Sequence, residues 1–136
     1  MRPTHKEYYL DIAKAVSKRS TCLRRQYGAV IVNNDEIIAT GYNGAPRGQE
    51  NCCDIGSCNR TDCRHNDGNY GNCRSVHAEM NAIISASRAE MLGSTLYLAG
   101  FENGKAIAAE PCPICKRLII NAGIKEVITD DVQSDM

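Results

Sequence analysis

The feature that most constrains this fold is a set of metal-binding residues divided between two distant parts of the chain. His77-Ala78-Glu79 lies past the middle, and Pro111-Cys112-Pro113-Ile114-Cys115 follows closer to the C-terminus. Each motif stands where a helix is predicted to begin. A catalytic zinc takes three protein ligands and keeps its fourth tetrahedral corner for water. The fold must therefore bring two helix N-termini together, so that His77, Cys112 and Cys115 can share one metal.

The residue types within each motif suit this role. Cys112 and Cys115 are three residues apart, so their sulfur atoms share one face of a first helical turn. The positive end of each helix favours thiolates and a bound hydroxide. Glu79 is not needed as a ligand, and we predict that it moves a proton between the attacking water and the substrate. A closed structural zinc would need a fourth ligand that these motifs do not supply.

Composition narrows the classes of partner. The chain has eight cysteines and a polar N-terminus without the apolar core of an export signal. A cytoplasmic location is therefore expected, and in that reducing compartment the cysteines favour metal binding over disulfides. No apolar run approaches the roughly 20 residues that span a bilayer, so no membrane partner is expected. Sixteen basic residues balance sixteen acidic ones, which argues against binding to duplex nucleic acid.

The hydrophobic pattern predicts one domain over residues 1–130, followed by a short tail at 131–136. Apolar residues recur with helical spacing in three segments, at residues 5–20, 76–91 and 112–122. Strands are predicted at residues 29–32, 37–41, 95–99 and 124–129, with a hairpin turn at 33–35 and a loop at 101–109. The order α-β-β-α-β-α-β indicates an α/β fold, a three-layer α/β/α sandwich with a mixed central sheet.

Three stretches of the chain resemble the deoxycytidylate deaminases. They are TGYNGAPRG at residues 40–48, HAEMNAI at 77–83 and LIINAGIK at 118–125. The His-x-Glu and Pro-Cys-x-x-Cys motifs are common to the wider superfamily of zinc deaminases that act on nucleobases, and Gly-Tyr-Asn-Gly narrows the choice. The resemblance implies a cytidine deaminase-like fold and hydrolysis of dCMP to dUMP and ammonia, which supplies thymidylate synthesis. Residues 100–110 depart from shorter family members by lengthening the connection before the cysteine helix.

The resemblance also implies roles for residues outside the two motifs. Asn43 is expected to bind the sugar of the substrate. Tyr42 and Gly44 belong to a loop near which family members bind dCTP as activator and dTTP as inhibitor, with Mg²⁺. Arg88 is expected between subunits of a homo-oligomer, with a hexamer favoured.

A substrate phosphate requires a cationic partner. Arg24, Arg25 and Arg47 flank the strands whose ends are expected to meet at the active site. Such arginines are also common on solvated surfaces, so the sequence leaves the choice among them open.

The segment from about residue 49 to 74 is a cysteine-rich insertion with neither helical nor strand periodicity. A segment of this kind needs something to hold it, and a metal cluster would do so. Some family members hold a second, structural zinc here. The resemblance implies four ligands, with Cys52 as a competitor and Cys63 with His65 as a weaker pair: Cys22, Cys53, Cys58 and Cys73.

Two alternatives remain open on the sequence. The chain could be a zinc deaminase of another base, such as cytidine or the adenosine of a transfer RNA. It could also be a non-catalytic module that zinc stabilises. The neutral charge and the Gly-Tyr-Asn-Gly loop oppose the RNA substrate. Glu79 opposes the non-catalytic module, which would have no use for an acid beside an open zinc site.

Overall fold

The computed structural model describes residues 2–22, 24–44 and 76–130. In that part of the chain, helices and strands follow one another in the order expected for a mixed α/β protein. They are α1 (His5–Ser17), β1 (Gln26–Asn33), β2 (Glu36–Tyr42), α2 (Ala78–Ile84), α3 (Arg88–Met91), β3 (Thr95–Glu102), β4 (Lys105–Ile107), α4 (Pro113–Ala122) and β5 (Glu126–Thr129).

The strands form a single mixed sheet. Strand β1 lies between β2 and β3 and is antiparallel to both. Strand β3 then pairs along its other edge with two short strands: β5 runs parallel to its first half, and β4 runs antiparallel to its last residues. The parallel pairing of β3 and β5 is possible because the intervening chain crosses over through α4.

Alternation along β1 creates a core on each face of the sheet. Ala29 and Ile31 point into a cluster that α2 and α4 cover. Val30 and Val32 point into a second cluster beneath α1. Because successive strand residues face opposite sides, a run of apolar residues in β1 serves both layers. The predicted three-layer α/β/α sandwich with a mixed sheet is confirmed.

Two glycines let the helices approach the sheet backbone closely. A Cβ atom on Gly28 would lie 2.0 Å from the carbonyl oxygen of Ala13 in α1. A Cβ atom on Gly41 would lie 2.4 Å from the backbone of both Ala78 and Ala82 in α2. No side chain fits in either place, so Gly41 determines how deeply the helix that follows His77 can sit on β2.

The helix predicted over residues 76–91 is divided in the structure, and this part of the prediction is wrong. Helix α2 ends at Ile84, and Ser87 caps the separate short helix α3. The Ser87 hydroxyl accepts from the backbone N–H of Glu90, and the Glu90 carboxylate accepts from the N–H of Ser87, which forms a capping box. Arg88 therefore opens α3 and does not share a helix with His77.

The loop predicted over residues 101–109 is a β-hairpin in part. Strand β3 continues to Glu102, and β4 returns beside it after a turn at Asn103 and Gly104. Both turn residues have positive φ, 52° and 76°, as a tight two-residue hairpin requires. Asn34 and Asp35, in the correctly predicted hairpin between β1 and β2, have the same feature. Among the described helices, none has the length and apolar character required to cross a membrane.

Candidate active site

The site is built on the first residues of two helices. His77 is the N-cap of α2, with extended backbone angles (φ −70°, ψ 153°). Cys112 is the N-cap of α4, and its sulfur accepts from the backbone N–H of Cys115 at 3.4 Å. Pro113 is the first helical residue there, where no intrahelical N–H bond is lost. Both predicted helix starts are confirmed to within two residues.

The packing of α2 against α4 brings the three side chains together. The Nδ1 atom of His77 lies 3.5 Å from the Sγ atom of Cys112 and 3.3 Å from that of Cys115. The three donor atoms lie within 4.8 Å of one another. Both sulfur atoms belong to buried residues, whereas His77 is partly exposed. One imidazole nitrogen and two thiolates form a set that zinc accepts, with a corner left for water.

Glu79 lies on the first turn of α2, beside this cluster. It is 5% exposed, and burial raises the pKa of its carboxyl, although hydrogen bonds from its own backbone and from Cys115 oppose the shift. Burial likewise raises the pKa of the Cys115 thiol, to which the nearby Glu79 and Cys112 add. A bound cation would favour the ionised form of each group. The residues therefore fit a zinc ion chemically as well as geometrically.

Asn43 holds two strand ends together. Its Oδ1 atom accepts from the backbone N–H of Tyr27 at 2.8 Å and from the Ser20 hydroxyl at 2.6 Å. Its Nδ2 atom donates to the carbonyl oxygen of Arg25 at 2.8 Å. The side chain is buried, and both its amide oxygen and its amide nitrogen are hydrogen-bonded to protein groups, as buried polar atoms usually are. Its binding to a substrate sugar stays a prediction.

The residues predicted for regulation occupy two places. Gly44 pairs with Val76 through two backbone hydrogen bonds, Gly44 N to Val76 O at 3.1 Å and Val76 N to Gly44 O at 2.6 Å. The carbonyl oxygen of Tyr42 accepts from Nδ2 of Asn81 at 2.8 Å, which ties this loop to α2. Arg88 is exposed at the start of α3. The predicted roles of Tyr42, Gly44 and Arg88 stay predictions.

Two residues near the site were missed by the sequence analysis, Tyr27 and Glu102. The guanidinium of Arg25 lies 3.5 Å from the Glu102 carboxylate and donates to the Tyr27 hydroxyl at 3.5 Å. The pKa of Tyr27 is raised, mainly by burial, and Glu79 is close enough to contribute to that increase. For Glu102, the available signal in the sequence was the Asn103-Gly104 pair, because Asn-Gly strongly favours a hairpin turn.

Several predicted residues lie outside the described part of the chain. They are Arg47, the second-zinc cysteines Cys52, Cys53, Cys58 and Cys73, the weaker pair Cys63 and His65, and the tail at 131–136. Cys22 is described and half-buried, and its carbonyl oxygen accepts from Nε2 of Gln26 at 2.6 Å. The second zinc site and the phosphate contact of Arg47 stay predictions.

Residues 3–130 match the family model described as the cytidine and deoxycytidylate deaminase zinc-binding region. The chain is 38% identical over 133 residues to the deoxycytidylate deaminase of Mycobacterium phage D29, covering 93% of this chain and 94% of that protein. It is also 38% identical to the deoxycytidylate deaminase of Schizosaccharomyces pombe, but spans only 37% of that relative's length.

A solved structure is also similar to this chain. The dCMP deaminase of the cyanophage S-TIM5, in complex with dCMP and dUMP, superposes with a TM-score of 0.67 at 32% identity. The match covers 95% of this chain and 82% of that one. A family match over nearly the whole described domain thus accompanies a histidine and two cysteines gathered at two helix starts. On these grounds, the chain belongs to the family of cytidine and deoxycytidylate deaminases with a zinc-binding region.

Proposed function

We propose that this chain is a zinc-dependent hydrolase that converts dCMP and water to dUMP and ammonia. The observation that carries the proposal is the convergence of His77, Cys112 and Cys115 beside the buried carboxyl of Glu79. Relatives named deoxycytidylate deaminases, and a similar structure that contains dCMP and dUMP, support this choice of substrate. We further propose that the dUMP supplies thymidylate synthesis.

His77, Cys112 and Cys115 would hold the zinc, which when bound lowers the pKa of a water molecule so that hydroxide is available near neutral pH. Glu79 performs the proton transfers. Its carboxylate takes the proton that the attacking water loses and delivers it to ring atom N3 of the cytosine. It then assists the departure of the amino group as ammonia. Glu79 is buried beside the ligand set, where its carboxyl can accept a proton and release it in the same cycle.

Other residues would orient the nucleotide. Asn43 stands at the end of β2 and is proposed to contact the sugar, while Arg25, with Arg24 and Arg47 as further candidates, would contact the phosphate. Arg25 immediately precedes β1, and its carbonyl oxygen accepts a hydrogen bond from Nδ2 of Asn43. A guanidinium placed on a fixed backbone can bind phosphate oxygens through charge-assisted hydrogen bonds.

Ammonia release from dCMP, deoxycytidine, cytidine, dCTP and a transfer RNA that contains adenosine tests the substrate. A charge-assisted contact to phosphate contributes roughly 1.5–3 kcal/mol. We therefore expect kcat/KM for dCMP to exceed that for deoxycytidine by at least about tenfold, and to do so at moderate salt. Equal use of both compounds would refute the phosphate contact. A preference for cytidine or for an adenosine in RNA would favour the other deaminases, and inactivity of zinc-loaded protein on all of them would favour a non-catalytic module.

We also propose that the enzyme is cytoplasmic and oligomeric, with a hexamer favoured, and that dCTP activates and dTTP inhibits it with Mg²⁺. The partly exposed Tyr42 and the backbone pairing at Gly44 support an effector site in this loop. The exposed Arg88 suits a subunit contact. Coupling of a typical size, roughly 1–3 kcal/mol, would shift the apparent affinity for dCMP about 5- to 150-fold. A hyperbolic saturation curve that neither triphosphate changes would contradict regulation, and light scattering measures the subunit number.

A further inference from the structure

An ion pair joins Arg25, the residue before β1, to Glu102, the last residue of β3. The Nη2 atom of Arg25 is 3.5 Å from the Glu102 carboxylate, and the two side chains are 24% and 38% exposed. Arg25 is also one of the arginines proposed to bind the substrate phosphate. The same guanidinium therefore faces an anion supplied by the protein itself.

This contact is weak enough to be replaced. Charge-assisted N–H···O bonds are usually about 2.7–2.9 Å long, so a separation of 3.5 Å is far from the optimum. The Nη1 contact to the Tyr27 hydroxyl has the same length. Within the described residues, the buried Nε atom of Arg25 has no hydrogen-bond acceptor at all. A guanidinium can donate five N–H groups, and a phosphate with several oxygen atoms would satisfy it better than Glu102 does.

Tyr27 connects this pair to the reaction centre. Its ring packs against Gly100, where an added Cβ would lie 2.6 Å from the ring. Its hydroxyl is bonded to Arg25, and the negative charge of Glu79 helps to raise its pKa. Tyr27 also packs against the core cluster that α2 covers, so an anion bound to Arg25 would lie on the face of the sheet that carries Glu79.

The hairpin fixes where Glu102 stands. Gln26 is paired with Phe101 across β1 and β3, which brings the end of β3 beside the residue before β1. Glu102 is in turn paired with Lys105 across the Asn103-Gly104 turn. Because β3 is paired with β1 on one side and with β4 on the other, the sheet fixes the position of Glu102 relative to Arg25.

We propose that Glu102 is a specificity-determining residue that competes with the phosphate of the nucleotide for Arg25. This inference rests on the proposed function, and within it Glu102 has two effects. It keeps Arg25 paired when no phosphate is bound, and it lowers the affinity for any anionic ligand that must displace it from Arg25. Neutral nucleosides gain nothing from Arg25, whereas a phosphate dianion displaces Glu102.

Steady-state kinetics of Glu102→Gln with dCMP and deoxycytidine tests the proposal. The substitution removes the competing charge and keeps the size of the side chain. We expect KM for dCMP to fall by roughly two- to fivefold, the range open to a partly exposed ion pair, with deoxycytidine kinetics unchanged. In an Arg25→Gln background, Glu102→Gln should leave KM for both substrates unchanged, because the cation for which the carboxylate and the phosphate compete has been removed. Glu126→Gln, in β5 where it pairs with the first residue of β3, is the matched control.

Calorimetric titration with inorganic phosphate gives a readout that does not depend on activity. Glu102→Gln should bind phosphate roughly two- to fivefold more tightly than the wild-type protein does. The proposal is overturned if Glu102→Gln changes both substrates equally, weakens dCMP, or leaves phosphate binding unaltered. Wild-type protein that deaminates neither substrate would refute the proposed function, while the phosphate titration would still decide the competition between Glu102 and phosphate.

Discussion

The Nδ1 atom of His77 lies 3.3 Å from the Sγ atom of Cys115, although the two residues are 38 positions apart in the chain. The contact exists because α2 and α4 pack on the same face of the sheet with their first residues adjacent. Each helix contributes its positive end, which favours ionised thiolates and a negatively charged oxygen. The metal site is therefore a property of how two helix starts are placed, and changes that move either helix should affect it.

Glu79→Gln should lower turnover of dCMP by at least about 10²-fold, because the amide cannot accept and return a proton. The size of the side chain is retained, so bound zinc should remain at the wild-type level. Ammonia release and elemental analysis on the same preparation measure both quantities. Near-normal turnover would exclude Glu79 as the proton-transfer residue.

Zinc content should distinguish the two predicted sites. Purified protein is expected to contain about two zinc ions per chain if the cysteine-rich segment holds one of its own. Cys112→Ser should lose one ion and all activity, because it removes a ligand of the catalytic set. Cys58→Ser should lose the other and mainly reduce stability. A wild-type content of one ion, measured by elemental analysis, would remove the structural site.

Gly41→Ala should damage the active site from the opposite side of α2. The new Cβ would meet the backbone of Ala78 and Ala82 at 2.4 Å, so the helix must move away from β2. Overpacking of this kind costs about 1–3 kcal/mol, and the movement displaces both His77 and Glu79. Urea unfolding and zinc affinity report the two effects. Thr40→Ala, at an exposed neighbour in β2, should leave both within error; equal behaviour of the two variants would contradict the packing argument.

Tyr9→Phe should reduce the free energy of unfolding by about 1–2 kcal/mol near neutral pH. The buried Tyr9 hydroxyl donates to Asp35 at 2.5 Å, which ties α1 to the turn between β1 and β2. That hydrogen bond, with burial, raises the pKa of Tyr9 from 10.0 to about 12. The folded protein thus holds this proton more tightly than the unfolded chain does. The contribution is complete below about pH 10 and is lost as the pH rises toward 12.

Urea titrations at neutral pH and above pH 10 check this dependence on Tyr9. The difference between wild type and Tyr9→Phe should shrink at the higher pH, because an ionised Tyr9 would repel Asp35. Tyr8→Phe, at the half-exposed neighbour, is the control and should show little difference at either pH. A constant difference between wild type and Tyr9→Phe at both pH values would contradict the assigned hydrogen bond.

Local sequence was sufficient to predict features that depend only on neighbouring residues, such as helix boundaries and the residue types of the ligands. His77, Cys112 and Cys115 could be identified as one candidate ligand set because zinc chemistry restricts the residue types and because caps and prolines mark helix starts. Gly123 ends α4 with a φ of 88°, which a glycine adopts without strain, and that boundary was predicted. The break before Arg88 also has a local signal, the Ser87–Glu90 capping box. The apolar pattern continues through residues 76–91, however, and it led to the prediction of a single helix.

Tertiary structure decided what depends on the pairing of distant strands. Glu102 faces Arg25 only because β3 continues past its predicted end and pairs with β1 in one register. A shift of one residue would turn every side chain of the strand to the other face, and no short pattern specifies that register. The same holds for Asn43, a turn residue by sequence, whose amide joins Arg25 and Tyr27 only after β1 and β2 are side by side. The sequence by itself determined the residue types of the candidate metal site, and the pairing of strands decided which polar side chains meet at the ends of β1, β2 and β3.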